Sequence, residues 1–127
     1  MSAVAVLDRE LSRLEGLWDE GLEDSYRSYL EAVAGQPADM QPRLALAAAL
    51  VEVGLNLQGL GGPAAPPSAL LMGDLCLARS SRILTDWAAK PVQVAFARAV
   101  EELSSAAAAR VNAPSVRELL VQALAAR

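Results

Sequence analysis

One short apolar stretch holds most of the chemistry this sequence offers. Leu71-Met72-Gly73-Asp74-Leu75-Cys76-Leu77-Ala78-Arg79 has helical composition, yet carries a Gly-Asp pair in its middle. Glycine costs about 1 kcal/mol relative to alanine inside a helix, and a buried carboxylate is costly unless it is paired. A helix that accepts both predicts close approach of a second helix at Gly73 and a dedicated partner for Asp74. The sequence offers Arg79, Arg82 or a helix end as that partner. Gly73 and Asp74 are thus expected to be a structural motif.

Catalysis in a helical core would need carboxylates on facing helices. Asp74 with Glu52 is one pairing; Glu101 and Glu102 are adjacent and point to different faces. Histidine is absent from the sequence, which removes the commonest general base and metal ligand. Cys76 is the only cysteine, so no intramolecular disulfide is possible. Its apolar helical context predicts a buried, inert thiol, since no histidine is present to activate it. The expectation is a chain with no catalytic, metal-binding or cofactor-binding residues.

The elements that must position these groups follow from hydrophobic period and from glycine and proline. Val4, Leu7, Leu11, Leu14 and Trp18 share one face of a helix over about 3–19, loosened at its end by Gly16 and Gly21. Tyr26, Tyr29, Leu30 and Val33 continue the period until Gly35 and Pro37 close the segment. Pro42 suits the first turn of a third helix, over 42–60, which is apolar on nearly every side apart from Glu52, Asn56 and Gln58. A helix of that kind belongs at the centre of a bundle. Gly59, Gly61, Gly62, Pro63, Pro66 and Pro67 then make a connector. It lacks the preceding strand and the following Lys-Ser or Lys-Thr of a phosphate-binding loop. Ser68 is expected to cap a fourth helix over 68–86, and Pro91 to open a fifth that ends at Asn112 and Pro114. Ser115 and Glu118 have capping-box spacing ahead of a short sixth helix. Nothing alternates with a strand period. The expectation is an all-α bundle of about six helices in a single domain, 1–127.

Charge divides that domain. Residues 1–39 hold nine acids and three arginines, whereas 40–127 hold six acids and eight bases. An acidic, amphipathic N-terminal third followed by an apolar helical core with scattered cations argues against nucleic-acid binding, which needs clustered positive charge. No signal-peptide pattern precedes Asp8, Arg9 and Glu10. The longest purely apolar run, Leu44 to Val51, is eight residues, against the ~20 that span a bilayer. A cytoplasmic chain without a transmembrane segment is expected.

The helix order resembles a known family. Residues 44–60, then a loop, then Ala69-Leu70-Leu71-Met72-Gly73-Asp74-Leu75-Cys76-Leu77-Ala78-Arg79 are similar to the trans-polyprenyl diphosphate synthases, as is the helix from Pro91 to Leu103 with its Ala99-Val100-Glu101-Glu102-Leu103. The likeness covers about residues 43–104. In that all-helical family a buried helix leads to an aspartate-rich motif, and a later helix carries a Gly-Asp. Counting from Glu52, the aspartate pair would fall near Gly62 and Pro63, which have no carboxylates. That motif holds the magnesium ions that neutralise the substrate diphosphate. A second aspartate-rich motif is also absent from the sequence. The pattern from Val51 to Gln58 is similar to the noncatalytic component I subunits of heptaprenyl diphosphate synthase, which work with a catalytic component II.

The resemblance implies a truncated isoprenoid synthase-like fold and a noncatalytic accessory subunit that binds a catalytic prenyltransferase and influences chain length. The alternative is a helical homodimeric interaction module with no role in isoprenoid synthesis. Either way the apolar helices 42–60 and 68–86 predict an interface, with Met72, Leu75, Cys76 and Arg79 on one candidate contact face and a homodimer in isolation.

Overall fold

The computed structural model describes residues 15–59, 65–109 and 115–127. Most of the first expected helix, 3–14, lies outside the described residues, as do 60–64 of the connector and Asn112 and Pro114. Residues Glu15–Leu17 form a single helical turn that runs into a wider π turn, Trp18–Leu22. Gly21, at φ 119°, breaks the helical path there. A side chain is rarely tolerated at that φ, so the glycine makes the bend possible. Across the bend the Trp18 and Tyr26 rings lie 5.6 Å apart at a 49° tilt, an arrangement aromatic pairs favour.

Five helices follow: α1 (Glu23–Ala32), α2 (Gln41–Leu57), α3 (Pro67–Trp87), α4 (Lys90–Ala109) and α5 (Val116–Leu124). No strand occurs among the described residues. The all-α expectation is met. Proline punctuation is visible at the starts: Pro42 lies in the first turn of α2, and Pro67 opens α3. Its φ suits the first helical position and its missing N–H goes unmissed. Ser68 therefore lies inside α3 and does not cap it; the cap position is Pro66. Ser115 does cap α5, with its hydroxyl accepting from the Glu118 N–H at 3.4 Å.

The helix α2 is the axis of the bundle. From Pro42 to Val51 every residue is buried, as a helix without a polar face requires. Its neighbours are α1 on one side, α3 on another, and the start of α5. The α2–α3 pair runs antiparallel with a two-turn repeat of small residues. Gly54 meets Gly73, and seven residues away on each helix the Ser80 hydroxyl donates to the Ala47 carbonyl at 2.8 Å. At the far end the Arg43 guanidinium stacks 3.7 Å from the Trp87 ring centre, while its Nη1 donates to the Asp39 carbonyl. The helices α4 and α5 pack together, and they bury Phe96, Ala99 and Leu103 on the first and Leu120, Ala123 and Leu124 on the second. No helix among the described residues is long and apolar enough to cross a membrane.

Candidate functional site

Two polar or close-packed sites interrupt the apolar core, and both involve α2. The first is centred on Glu52, one of the few charged residues in that helix. Three residues on two helices, α1 and α5, deliver donors to its carboxylate. Ser25 and Tyr29 stand one turn apart on α1, and their hydroxyls donate to Oε1 at 2.9 Å and to Oε2 at 2.8 Å. Arg117, in the first turn of α5, donates from Nη2 to Oε1 at 2.7 Å and from Nε to Oε2 at 3.3 Å. This fork matches the planar geometry that Arg–carboxylate pairs prefer. The same guanidinium lies 5.4 Å from the Tyr29 ring centre, within cation–π range.

Electrostatics follow from that geometry. Burial of Glu52 disfavours its charge, but the hydrogen bonds from Arg117, Tyr29 and Ser25 outweigh burial and hold the carboxyl below its ordinary pKa. Burial, then the bond to Glu52, pushes the Tyr29 phenol above its ordinary value, so it remains protonated as donor. A general acid or base works best with a pKa near the operating pH. Glu52 is driven the other way, and both its oxygens are occupied. Its evident work is to clasp α1, α2 and α5 together.

The second site is the Gly54–Gly73 crossing. A Cβ on Gly73 would stand 2.8 Å from the Gly54 carbonyl oxygen and 2.7 Å from Cγ of Gln58. The close helix approach expected at Gly73 is present, and its counterpart is Gly54. Asp74 corrects the expectation attached to it. It is exposed, and its partner is the Gln58 side-chain amide of α2, not a guanidinium or a helix end. Arg82 pairs with Asp86 at 3.9 Å on the surface. Gly73 and Asp74 are adjacent, so their Cα–Cβ directions differ by about 100° on a helix of 3.6 residues per turn. With Gly73 facing α2, Asp74 points outward.

The four residues expected on one contact face divide in the same way. Cys76 is wholly buried, its Cβ 3.2 Å from where a Gly54 Cβ would be, so it faces its own core and not a free surface. Burial pushes its thiol up to about 11, consistent with an inert side chain. Met72, Leu75 and Arg79 are half-buried. The apolar residues that α3 leaves most open are Leu70 and Leu71, the latter 72% exposed.

The paired-carboxylate arrangement considered for catalysis does not share ligands: Glu52 is bound from α1 and α5, and Asp74 from Gln58. Glu101 and Glu102 are both exposed on α4. Among the described residues no three His, Cys, Asp or Glu side chains cluster as a metal site would require. The sequence reading missed Ser25, Tyr29 and Arg117 as partners of Glu52. The available signal was a pair of hydroxyls at i, i+4 on the apolar face of α1, together with a lone acid in an apolar helix.

Compared with protein families, curated proteins and solved structures, the chain matches none of them.

Proposed function

We propose that this chain is a noncatalytic helical accessory subunit that acts by packing against a catalytic polyprenyl diphosphate synthase subunit and so influences prenyl chain length. The observation that carries the packing role is the exposure of Leu71 beside Leu70 at the start of α3. Leu75, one turn on, is half-buried and extends the same apolar surface. An exposed leucine on its own is unremarkable, but adjacent leucines leading into a glycine-packed helix pair offer a rigid apolar ridge. The commitment of Glu52 to a structural clasp supports binding over catalysis. The isoprenoid part of the reading rests on the resemblance of residues 43–104. The same ridge would be covered by a second copy when the chain is isolated.

Light scattering and mixing experiments test the two parts separately. The expected result is a dimeric mass at micromolar concentration, converted to a monomer by Leu71→Glu without loss of helical signal. Added to a synthase bearing both aspartate-rich motifs, wild type should co-elute with it and shift its product length, and Leu71→Glu should not. A wild-type monomer that ignores the synthase would sink the accessory-subunit reading. A Leu71-dependent dimer that ignores it would leave a homodimeric interaction module outside isoprenoid synthesis.

A further inference from the structure

The α4–α5 pair carries a surface that the α3 ridge does not touch. Ala95, Ala99 and Glu102 of α4 and Leu119, Ala123 and the following Ala126 line one groove of about 580 Å³. Ala99 and Ala123 are buried and form the floor, while Val94, Ala95, Leu119 and Ala126 form the walls. Alanine on so many of these positions leaves the backbones of both helices accessible to close approach. The groove runs along α4 from Lys90 to Glu102, about 18 Å at ~1.5 Å per residue, or a little over three helical turns.

The rim has a charge opposite to that of the chain. Lys90, Arg98 and Arg127 line the groove with Glu102 as the single acid, although the whole sequence has net charge −4. All four are exposed. Among the described residues, no ion pair engages Lys90, Arg98 or Arg127. Elsewhere on the surface cations do find acids, as in Arg27–Glu23 at 3.0 Å and Arg82–Asp86. Three unengaged cations around an apolar trough are complementary to an apolar stripe with acids on its flanks.

We propose that the groove between α4 and α5 is a docking site for an amphipathic helix of about three turns with acidic flanks, supplied by a partner protein. The incoming helix would complete a three-helix packing. Its apolar stripe would cover Val94, Ala95, Leu119 and Ala126, with its acids reaching Lys90, Arg98 and Arg127. Apolar contact supplies affinity in this mode, and the charges supply orientation and association rate.

A fluorescein-labelled 14-residue helical peptide with a leucine stripe flanked by glutamates is the probe, and its lysine-flanked counterpart is the control. Anisotropy titrations on the full chain should show the acidic peptide binding at least roughly tenfold more tightly, with the advantage shrinking as salt is raised. Lys90→Glu with Arg98→Glu should remove that preference, and Val94→Glu should weaken both peptides. All three positions are exposed, and thermal melts followed by circular dichroism verify that the fold is retained. Equal binding of the two peptides, or an unchanged preference in Lys90→Glu/Arg98→Glu, would overturn the proposal. Tighter binding to phosphatidylserine vesicles than to the peptide would replace it with a lipid surface. Self-association abolished by Arg98→Glu would replace it with a second copy of this chain.

Discussion

The carbonyl oxygen of Gly54 occupies the space in which a Cβ of Gly73 would sit, 2.8 Å from that atom's position. The two glycines therefore set the separation of α2 and α3, and the buried stripe Gly73, Cys76, Ser80 and Ile83 follows from that contact. Spacing of three and four residues along α3 keeps this stripe on one face.

Gly73→Ala tests the crossing. Alanine gains about 1 kcal/mol of helix propensity, but overpacking against backbone costs about 1–3 kcal/mol. The neighbouring Gln58 side chain can swing away, whereas the Gly54 carbonyl cannot. A net loss of up to about 2 kcal/mol is expected, read from urea midpoints. At Gly54 the added Cβ would lie 3.1 Å from the Gly73 oxygen, a milder conflict. Gly54→Ala should therefore cost less than Gly73→Ala, and the reverse order would contradict this packing.

Asp74→Ala should barely matter. The carboxylate is exposed and holds only the Gln58 amide. A change within about 0.5 kcal/mol is expected, as for an ordinary surface site. A loss of 3 kcal/mol or more, roughly the cost of breaking a buried ion pair, would mean that Asp74 is enclosed in solution.

Glu52 should matter more, and with a defined pH dependence. Glu52→Gln keeps the shape but removes the charge that Arg117, Tyr29 and Ser25 address, at a cost of about 1–3 kcal/mol at neutral pH. The folded carboxyl titrates below its ordinary 4.5, so its contribution is complete above about that pH and is lost as pH falls through the folded value. Tyr29 works in the opposite sense. Its folded pKa is raised above 10.0, so its contribution is complete below that pH and fades as pH rises further. Urea midpoints between pH 3 and 6 should fall with acid more steeply in wild type than in Glu52→Gln. Parallel slopes would show that the clasp is not formed. Arg117→Ala combined with Glu52→Gln should cost less than the sum of the single changes, because the two share one interaction.

Cys76 should be silent while the protein is folded. With no exposed surface and its thiol pushed up to about 11, it offers neither access nor thiolate at pH 8. A disulfide-exchange reagent should react at the rate of unfolding and rapidly in urea. Immediate stoichiometric reaction of the native protein would place α3 differently against α2.

Composition and punctuation made the helices legible in advance. Alanine and leucine with few β-branched residues favour helix everywhere, and Pro42, Pro67 and the glycines around 59–62 mark the ends of α2 and α3 to within a few residues. Gly73 as a contact and Cys76 as a buried thiol were readable for the same reason: each has a local cost or preference that only burial explains. Which face of an all-round apolar helix turns inward is different. The sequence of α3 permits several stripes, and only its fit to Gly54 on α2 selects the one that buries Gly73 and leaves Asp74 in water. The Glu52 clasp lies further still from local rules. Its partners stand 27, 23 and 65 residues away. Contacts across such separations have no periodicity to announce them, because they exist only once α1 and α5 have packed on either side of α2.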